Sequence, residues 1–179
     1  AGLARFVDLD SDGVPELAQW TTSEPDARFV QDQNLPPVLS ERIYRRTDDG
    51  FRLLDRRTVP TPFATFVLFL RALETGQVAL ARSLVSSPPV YTRAQTLKLG
   101  TFHAPGSWRA SEPAPGARWA ESMRFQYGTP PLLSKGIDVR MKEIEGHWLV
   151  DGLTALALGP ATRKPAAKPA APAPGTSGR

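Results

Sequence analysis

Hydrophobic and polar residues alternate along much of the first 60 residues, which is the pattern of half-buried β-strands. The clearest pair of strands is joined by Asp49 and Gly50, and an Asp-Gly pair between alternating segments favours a tight hairpin turn. The pattern therefore predicts four short strands, separated in the middle by a polar loop at 23–37. The strands are Arg5–Asp8, Glu16–Thr22, Arg42–Arg46 and Phe51–Arg57, and the expected buried residues of the hairpin are Ile43, Phe51, Leu53 and Leu54.

The spacing of apolar residues changes at residue 61 to the helical interval of three or four. Thr61 is a favourable N-cap residue, and Pro62 suits the first helical position, where its missing N–H is not needed. The helix is predicted to end at Gly76, and its apolar stripe consists of Phe63, Phe66, Val67, Leu70 and Leu73. Two shorter helices are predicted over Gln77–Ser86 and Thr92–Leu99, with Pro88 and Pro89 between them. Because the apolar run at 63–70 is too short to cross a membrane, we predict a core helix and no transmembrane segment.

Alternation returns after a loop rich in Pro, Gly and Ser at 103–116. It predicts strands over Ala117–Tyr127, Ile137–Ile144 and His147–Asp151, with a turn at Glu145 and Gly146. One face of the first of these strands carries Trp119, Met123, Phe125 and Tyr127. Helices followed by an antiparallel sheet belong to the α+β class. The predicted fold is therefore α+β, with a small antiparallel β unit followed by a helix-plus-curved-sheet unit.

The net charge of +4 is concentrated at the end of the chain. The last twenty residues hold four basic residues and no acidic one, which leaves 18 basic and 18 acidic residues in 1–159. A folded part without excess positive charge does not favour a groove for specific nucleic acid. The tail itself is built from Pro, Ala, Gly and a few cations, so we predict that 160–179 is a disordered terminus or linker or, alternatively, a tether to the cell envelope or to a polyanion.

The 179 residues suit one medium or two small folded units, which we assign to 1–60 and 61–159. The chain has no Cys and two His, which excludes disulfides, thiol nucleophiles and cysteine metal sites and disfavours a histidine metal cage. It begins at Ala1 without a hydrophobic signal, so we interpret it as a processed or excised piece.

The segment FVDLDSDGVPEL at 6–17 carries acidic residues at alternating positions around a glycine. Asp8, Asp10 and Asp12 alternate, Gly13 permits a sharp turn, and Glu16 is the ninth residue of the loop. A hard divalent cation takes about six to eight oxygen ligands, and a loop that curls around the ion can present one from every second residue. Asp and Gly also form ordinary turns, which is the alternative interpretation.

An EF-hand loop begins in the same way but needs a bidentate Glu at its twelfth position, where this sequence has Gln19. The segment instead resembles the calcium loop of FG-GAP/VCBS-type repeats, in which a DxDxDGxxD/E loop joins two strands of a propeller blade. The resemblance covers residues 3–22 and extends more loosely to 57. It implies a Ca²⁺ ion held by the backbone of Val14 and by the side chains of Asp8, Asp10, Asp12 and Glu16. One such loop and four strands make a single blade-like unit and cannot close a propeller.

The helices and strands from Thr61 to Leu158, ending in EGHWLVDGL, resemble the cone-shaped fold of the nuclear transport factor two-like superfamily. This superfamily includes both enzymes and non-catalytic domains, so the resemblance implies a fold and no activity. Candidate pocket residues of the cone are Trp119, Glu121, Phe125, Tyr127 and Trp148. The alternative is that the aromatic residues fill the core and that Glu121 pairs with an arginine. No catalytic residue is assigned.

The leading hypothesis is a non-enzymatic, calcium-binding protein that is extracytoplasmic or secreted. Its role would be structural or interaction-mediating, with another protein or a cell-envelope component as the partner. The alternative hypothesis is a small-molecule binding protein, or an enzyme of the lyase or isomerase type, that uses the cone pocket. An open cavity with converging polar groups in the cone would favour this alternative.

Overall fold

A computed structural model describes residues 3–31, 35–112, 118 and 121–157. Within these residues the chain forms two four-stranded antiparallel sheets with three α-helices between them in sequence, which confirms the α+β class. The first sheet contains β1 (Leu3–Val7), β2 (Glu16–Thr22), β3 (Leu39–Thr47) and β4 (Gly50–Thr58). The helices are α1 (Pro62–Glu74), α2 (Val78–Ser83) and α3 (Pro88–Thr96), followed by a 3₁₀ turn at Leu99–Thr101. The second sheet contains β5 (Trp108–Ser111), β6 (Ser122–Thr129), β7 (Leu132–Ile144) and β8 (His147–Leu156).

The first sheet is a meander in which each strand pairs with its neighbour in sequence. The predicted hairpin is confirmed, since β3 and β4 meet at the pair Thr47 and Gly50. Ile43 is buried as expected, but the predicted burial of Phe51, Leu53 and Leu54 is wrong, because these side chains are exposed. The pairing explains part of this difference: Phe51 lies opposite Arg46 and Leu53 opposite Tyr44, on the other face of the sheet from Ile43.

Helix α1 begins and ends where its sequence predicts. Thr61 caps it through a hydrogen bond that its side chain accepts from the Ala64 N–H at 3.1 Å, and Pro62 is the first helical residue. Gly76 follows the helix with a φ of +67°, a conformation that favours glycine. The predicted stripe of α1 packs into the main hydrophobic core, with Leu73 only partly buried, and Phe69, outside the stripe, is fully buried as well.

Helix α3 corrects the predicted boundary, because it begins at Pro88 rather than at Thr92. The two prolines occupy its first turn, where a missing N–H costs nothing, instead of separating two helices. Helix α2 is shorter than predicted, because it covers Val78–Ser83 and the prediction was Gln77–Ser86.

The second sheet is also a meander, and its inner face forms one wall of the main core. Met123, Phe125 and Tyr127 lie buried on one face of β6, as their alternation predicts. Strand β5 lies inside the predicted loop and was missed, and β8 continues beyond Asp151 to Leu156. The start of the predicted strand Ala117–Tyr127, including Trp119, lies largely outside the described residues, as does the tail 160–179.

The connection between β2 and β3 belongs to the first predicted unit, 1–60, but contributes to the core of the second, 61–159. Phe29 is 2% exposed, and its ring lies 5.1 Å from that of Phe63 and 5.8 Å from that of Phe125. The neighbouring backbone pairs with β5, because the Val30 N–H donates to Trp108 O and the Trp108 N–H donates to Arg28 O. The predicted boundary at 60/61 falls between β4 and α1, while this connection joins the two predicted units.

None of the helices in the described chain is long and apolar enough to cross a membrane.

Candidate functional site

The acidic loop connects β1 to β2, and the pairing of these strands sets its position. Val7 at the end of β1 lies opposite Glu16 at the start of β2, so residues 8–15 must turn within a short span. Ser11 and Gly13 have positive φ values of 61° and 85°, which allow the backbone to reverse. Backbone N–H groups then hold the carboxylates, because Gly13 donates to Asp8 Oδ2 at 3.0 Å and Leu9 donates to Glu16 Oε2 at 3.1 Å.

This loop brings three of the five predicted metal ligands together. Carboxylate oxygens of Asp8, Asp10 and Glu16 all lie within 4.8 Å of one another. Asp12 lies outside this group, and its Oδ1 accepts a hydrogen bond from the Val14 N–H at 2.8 Å. Val14 itself is exposed. The arrangement is therefore a cluster of three carboxylates with a fourth acidic residue beside it.

Arg45 of β3 is the functional residue that sequence reasoning missed. Its guanidinium contacts Asp10, donates from Nη2 to Glu16 Oε1 at 2.6 Å, and lies 3.6 Å from Asp12 Oδ2. The signal that could have found it is strand pairing: Leu17 pairs with Tyr44, so one further step along the two strands brings Arg45 beside Glu16. Arg45 therefore acts as a cationic partner of the acidic loop.

The electrostatics of the cluster follow from these contacts. Hydrogen bonds from Arg45 and then from the Leu9 N–H lower the pKa of Glu16 below its ordinary range, although burial opposes the shift. The hydrogen bond from Arg45 likewise lowers the pKa of Asp10, and the two acidic partners raise the pKa of Arg45. Three acidic side chains share this single guanidinium and Asp8 lies beside them, so the cluster retains an excess of negative charge.

The donor set suits a hard divalent cation. Oxygen ligands from carboxylates and backbone carbonyls are those that Ca²⁺ prefers, and flexible loop sites tolerate its variable coordination number. Arg45 would compete with such an ion for these carboxylates, because its guanidinium donates to Asp10 Oδ2 and Glu16 Oε1.

The described members of the predicted cone pocket are dispersed. Phe125 and Tyr127 are buried in the core, where the Phe125 ring stacks on Phe66 and the Tyr127 ring on Trp108. Burial raises the pKa of Tyr127. Glu121 is exposed and precedes β6, and Trp148 of β8 is half-buried. Trp119, the fifth member, lies outside the described residues.

A cleft of about 690 Å³ lies where the β2–β3 connection, β4, α1 and β8 meet. Among the described members of the predicted pocket, Trp148 alone lines it. Residues of β3 and of the end of α2 line it as well, so its walls come from segments far apart in the chain and no local sequence pattern could have indicated it. The residues that line it include Arg56, Arg57, Leu68, Arg71, Trp148 and Leu149.

Comparisons of the chain with protein-family models, curated proteins and solved structures found no match.

Proposed function

We propose that the protein is a non-enzymatic, calcium-binding protein of an extracytoplasmic compartment, with a structural or interaction-mediating role. The observation that carries the proposal is the convergence of carboxylate oxygens from Asp8, Asp10 and Glu16 within 4.8 Å of one another. Separate, solvated carboxylates would reduce their mutual repulsion by moving apart, and the strand pairing, backbone hydrogen bonds and Arg45 hold these together.

Calcium at this position would connect the end of β1 with the start of β2. Glu16 belongs to β2, whereas Asp8 and Asp10 follow β1, so one ion would crosslink both sides of the hairpin. The ion would also offset the excess negative charge that Arg45 leaves uncompensated. The role of calcium in this proposal is therefore to stabilise the first sheet rather than to take part in chemistry.

The extracytoplasmic location follows from the expected affinity. A partly exposed loop with a competing arginine favours a weak site, and weak sites of extracellular modules have dissociation constants of about 0.1–1 mM. Such a site fills only where calcium reaches that concentration.

The interaction-mediating role is supported by apolar side chains on the open face of the first sheet. Phe6, Phe51 and Leu53 are about half exposed or more, and the Phe6 and Phe51 rings lie 6.4 Å apart. Exposed apolar groups that lie together are typical of interaction surfaces. The proposed partner is another protein or a cell-envelope component, and specific nucleic acid is not part of the proposal.

The calcium effect on thermal stability tests this function. Saturating calcium at about 10 mM should raise the melting temperature of the wild-type chain by about 3 °C relative to chelator, because the ion binds only the folded loop. Asp10→Asn should abolish the rise, since it keeps the size of the side chain and removes one charged ligand.

The matched control is Asp49→Asn, which makes the same change in the other hairpin turn. This variant should respond to calcium like the wild type. An equal response of Asp10→Asn and Asp49→Asn, or no response of the wild type at about 10 mM calcium, would rule out the proposed site.

A further inference from the structure

The cleft where the β2–β3 connection, β4, α1 and β8 meet combines an apolar floor with cationic walls. Its volume, about 690 Å³, lies in the range of small-molecule sites, which is roughly 300–1,000 Å³. It contains none of the acidic loop residues, so it is independent of the calcium proposal.

The floor is formed by apolar side chains that the core does not cover. Leu68 on α1 is 40% exposed, although the residues on both sides of it, Val67 and Phe69, are buried. Trp148 and Leu149 of β8 are half-buried and line the same cleft. These side chains leave apolar surface in contact with solvent, and covering that surface with an apolar ligand is favourable.

Two arginines of the walls retain capacity to bind an anion. Asp26 already accepts two hydrogen bonds from the Arg28 side chain, at 2.6 and 2.9 Å, so its contact with Arg71 at 3.5 Å is a distant one. Arg56 makes no ion pair within the described part of the chain. Arg57, by contrast, is held by Glu41 through a contact of 2.5 Å.

We infer that this cleft binds a small amphipathic organic anion, with its apolar body on Leu68, Trp148 and Leu149 and its carboxylate at Arg56 and Arg71. A guanidinium pairs well with a planar carboxylate. The apolar floor disfavours a purely polar anion such as phosphate, because such an ion would leave the floor uncovered. The acidic residue Glu24 also lines the cleft and selects against ligands with several negative charges.

The probe for this site is the fluorescent anion anilinonaphthalene sulfonate, with decanoate as the competitor and decanol as its uncharged counterpart. Decanoate should displace the probe from the wild-type chain at least about tenfold more effectively than decanol, since only decanoate can pair with the arginines. The result should be the same in calcium and in chelator, so that failure of the calcium site leaves this test intact.

The variant Arg56→Gln/Arg71→Gln should weaken decanoate binding by about tenfold. Its control, Arg46→Gln/Arg109→Gln, removes the same charge from exposed positions outside the cleft and should bind like the wild type. Leu68→Ser should also weaken binding, whereas Leu53→Ser, on the exposed face of the first sheet, should not. Each variant is first shown to melt cooperatively.

Three results would overturn the inference. The first is equal decanoate affinity of the two double-arginine variants, and the second is a loss of binding in Leu53→Ser but not in Leu68→Ser. The third is displacement of the probe by a hexaglutamate peptide at least as effectively as by decanoate, which would show that the cleft accepts an acidic peptide instead.

Discussion

Glu16 is 1% exposed, and a carboxylate at such a position needs partners for its charge. Arg45 and the Leu9 N–H supply them, and Arg45 also contacts Asp10. The same guanidinium therefore stabilises the acidic loop and would compete with a calcium ion for its carboxylates. Arg45 is therefore expected to raise the stability of the calcium-free chain and to lower its affinity for calcium.

Replacing Arg45 with Gln should separate these effects. Arg45→Gln should lower the melting temperature in chelator, because the carboxylates lose their cationic partner. It should also increase calcium affinity by about two- to fivefold, since the ion no longer competes with the Arg45 guanidinium. Calorimetric titration and thermal melting in chelator measure the two quantities.

Arg46→Gln is the control for this prediction, because Arg46 is adjacent in sequence but lies on the opposite face of β3. It should change neither quantity. A decrease in calcium affinity in Arg45→Gln would show that Arg45 supports the ion site rather than competing with it.

At the residue scale, three of the four acidic residues that the sequence singles out meet, and the sequence does not indicate what else meets them. The alternation of Asp8 and Asp10 and the glycine at 13 are local signals, so the cluster could be anticipated. Arg45 follows Glu16 by 29 residues and reaches it only through the pairing of β2 with β3. Recognising it requires the register of those strands.

At the scale of elements, the connection from β2 to β3 is more than a surface loop. It places Phe29 in the aromatic cluster with Phe63 and Phe125, and Arg28 bridges Asp26 and Glu74. Hydrogen bonds from Arg28 lower the pKa of Asp26 although burial, the larger single influence, opposes them. This element therefore ties the first sheet to the main core through both apolar and ionic contacts.

Phe29→Ala should destabilise the protein by about 3–5 kcal/mol, because it removes a buried ring from a close-packed cluster. Phe6→Ala removes the same group from a side chain that is 63% exposed and should cost less than about 1 kcal/mol. Urea unfolding monitored by circular dichroism measures both. Similar losses in the two variants would contradict the burial of Phe29 in the core.

The elements that the sequence predicts well carry local signals. Thr61 with Pro62 marks the start of α1, and Asp49 with Gly50 marks the hairpin. Strand β5 has only four residues, too few for alternation to stand out, and it is stabilised by β6 and by the distant segment around Phe29. The start of α3 could not be predicted from Pro88 and Pro89 alone, because paired prolines fit the first turn of a helix as well as a break between two helices.

At the scale of the whole molecule, the two sheets differ in how they are stabilised. The second packs against α1 and shares its core, whereas the first leaves Phe6, Phe51 and Leu53 exposed on one face. A sheet with an uncovered face has little apolar burial to hold it, so a crosslink at the β1–β2 loop has a large relative effect. The proposed calcium ion would provide this crosslink.

Calorimetric titration of the full chain with calcium tests this central claim most directly. The account predicts saturable binding of about one calcium ion per chain with a dissociation constant of about 0.1–1 mM, lost in Asp10→Asn and retained in Asp49→Asn. Absence of saturable binding by the wild-type chain up to about 10 mM calcium, or binding that Asp10→Asn retains in full, would contradict it.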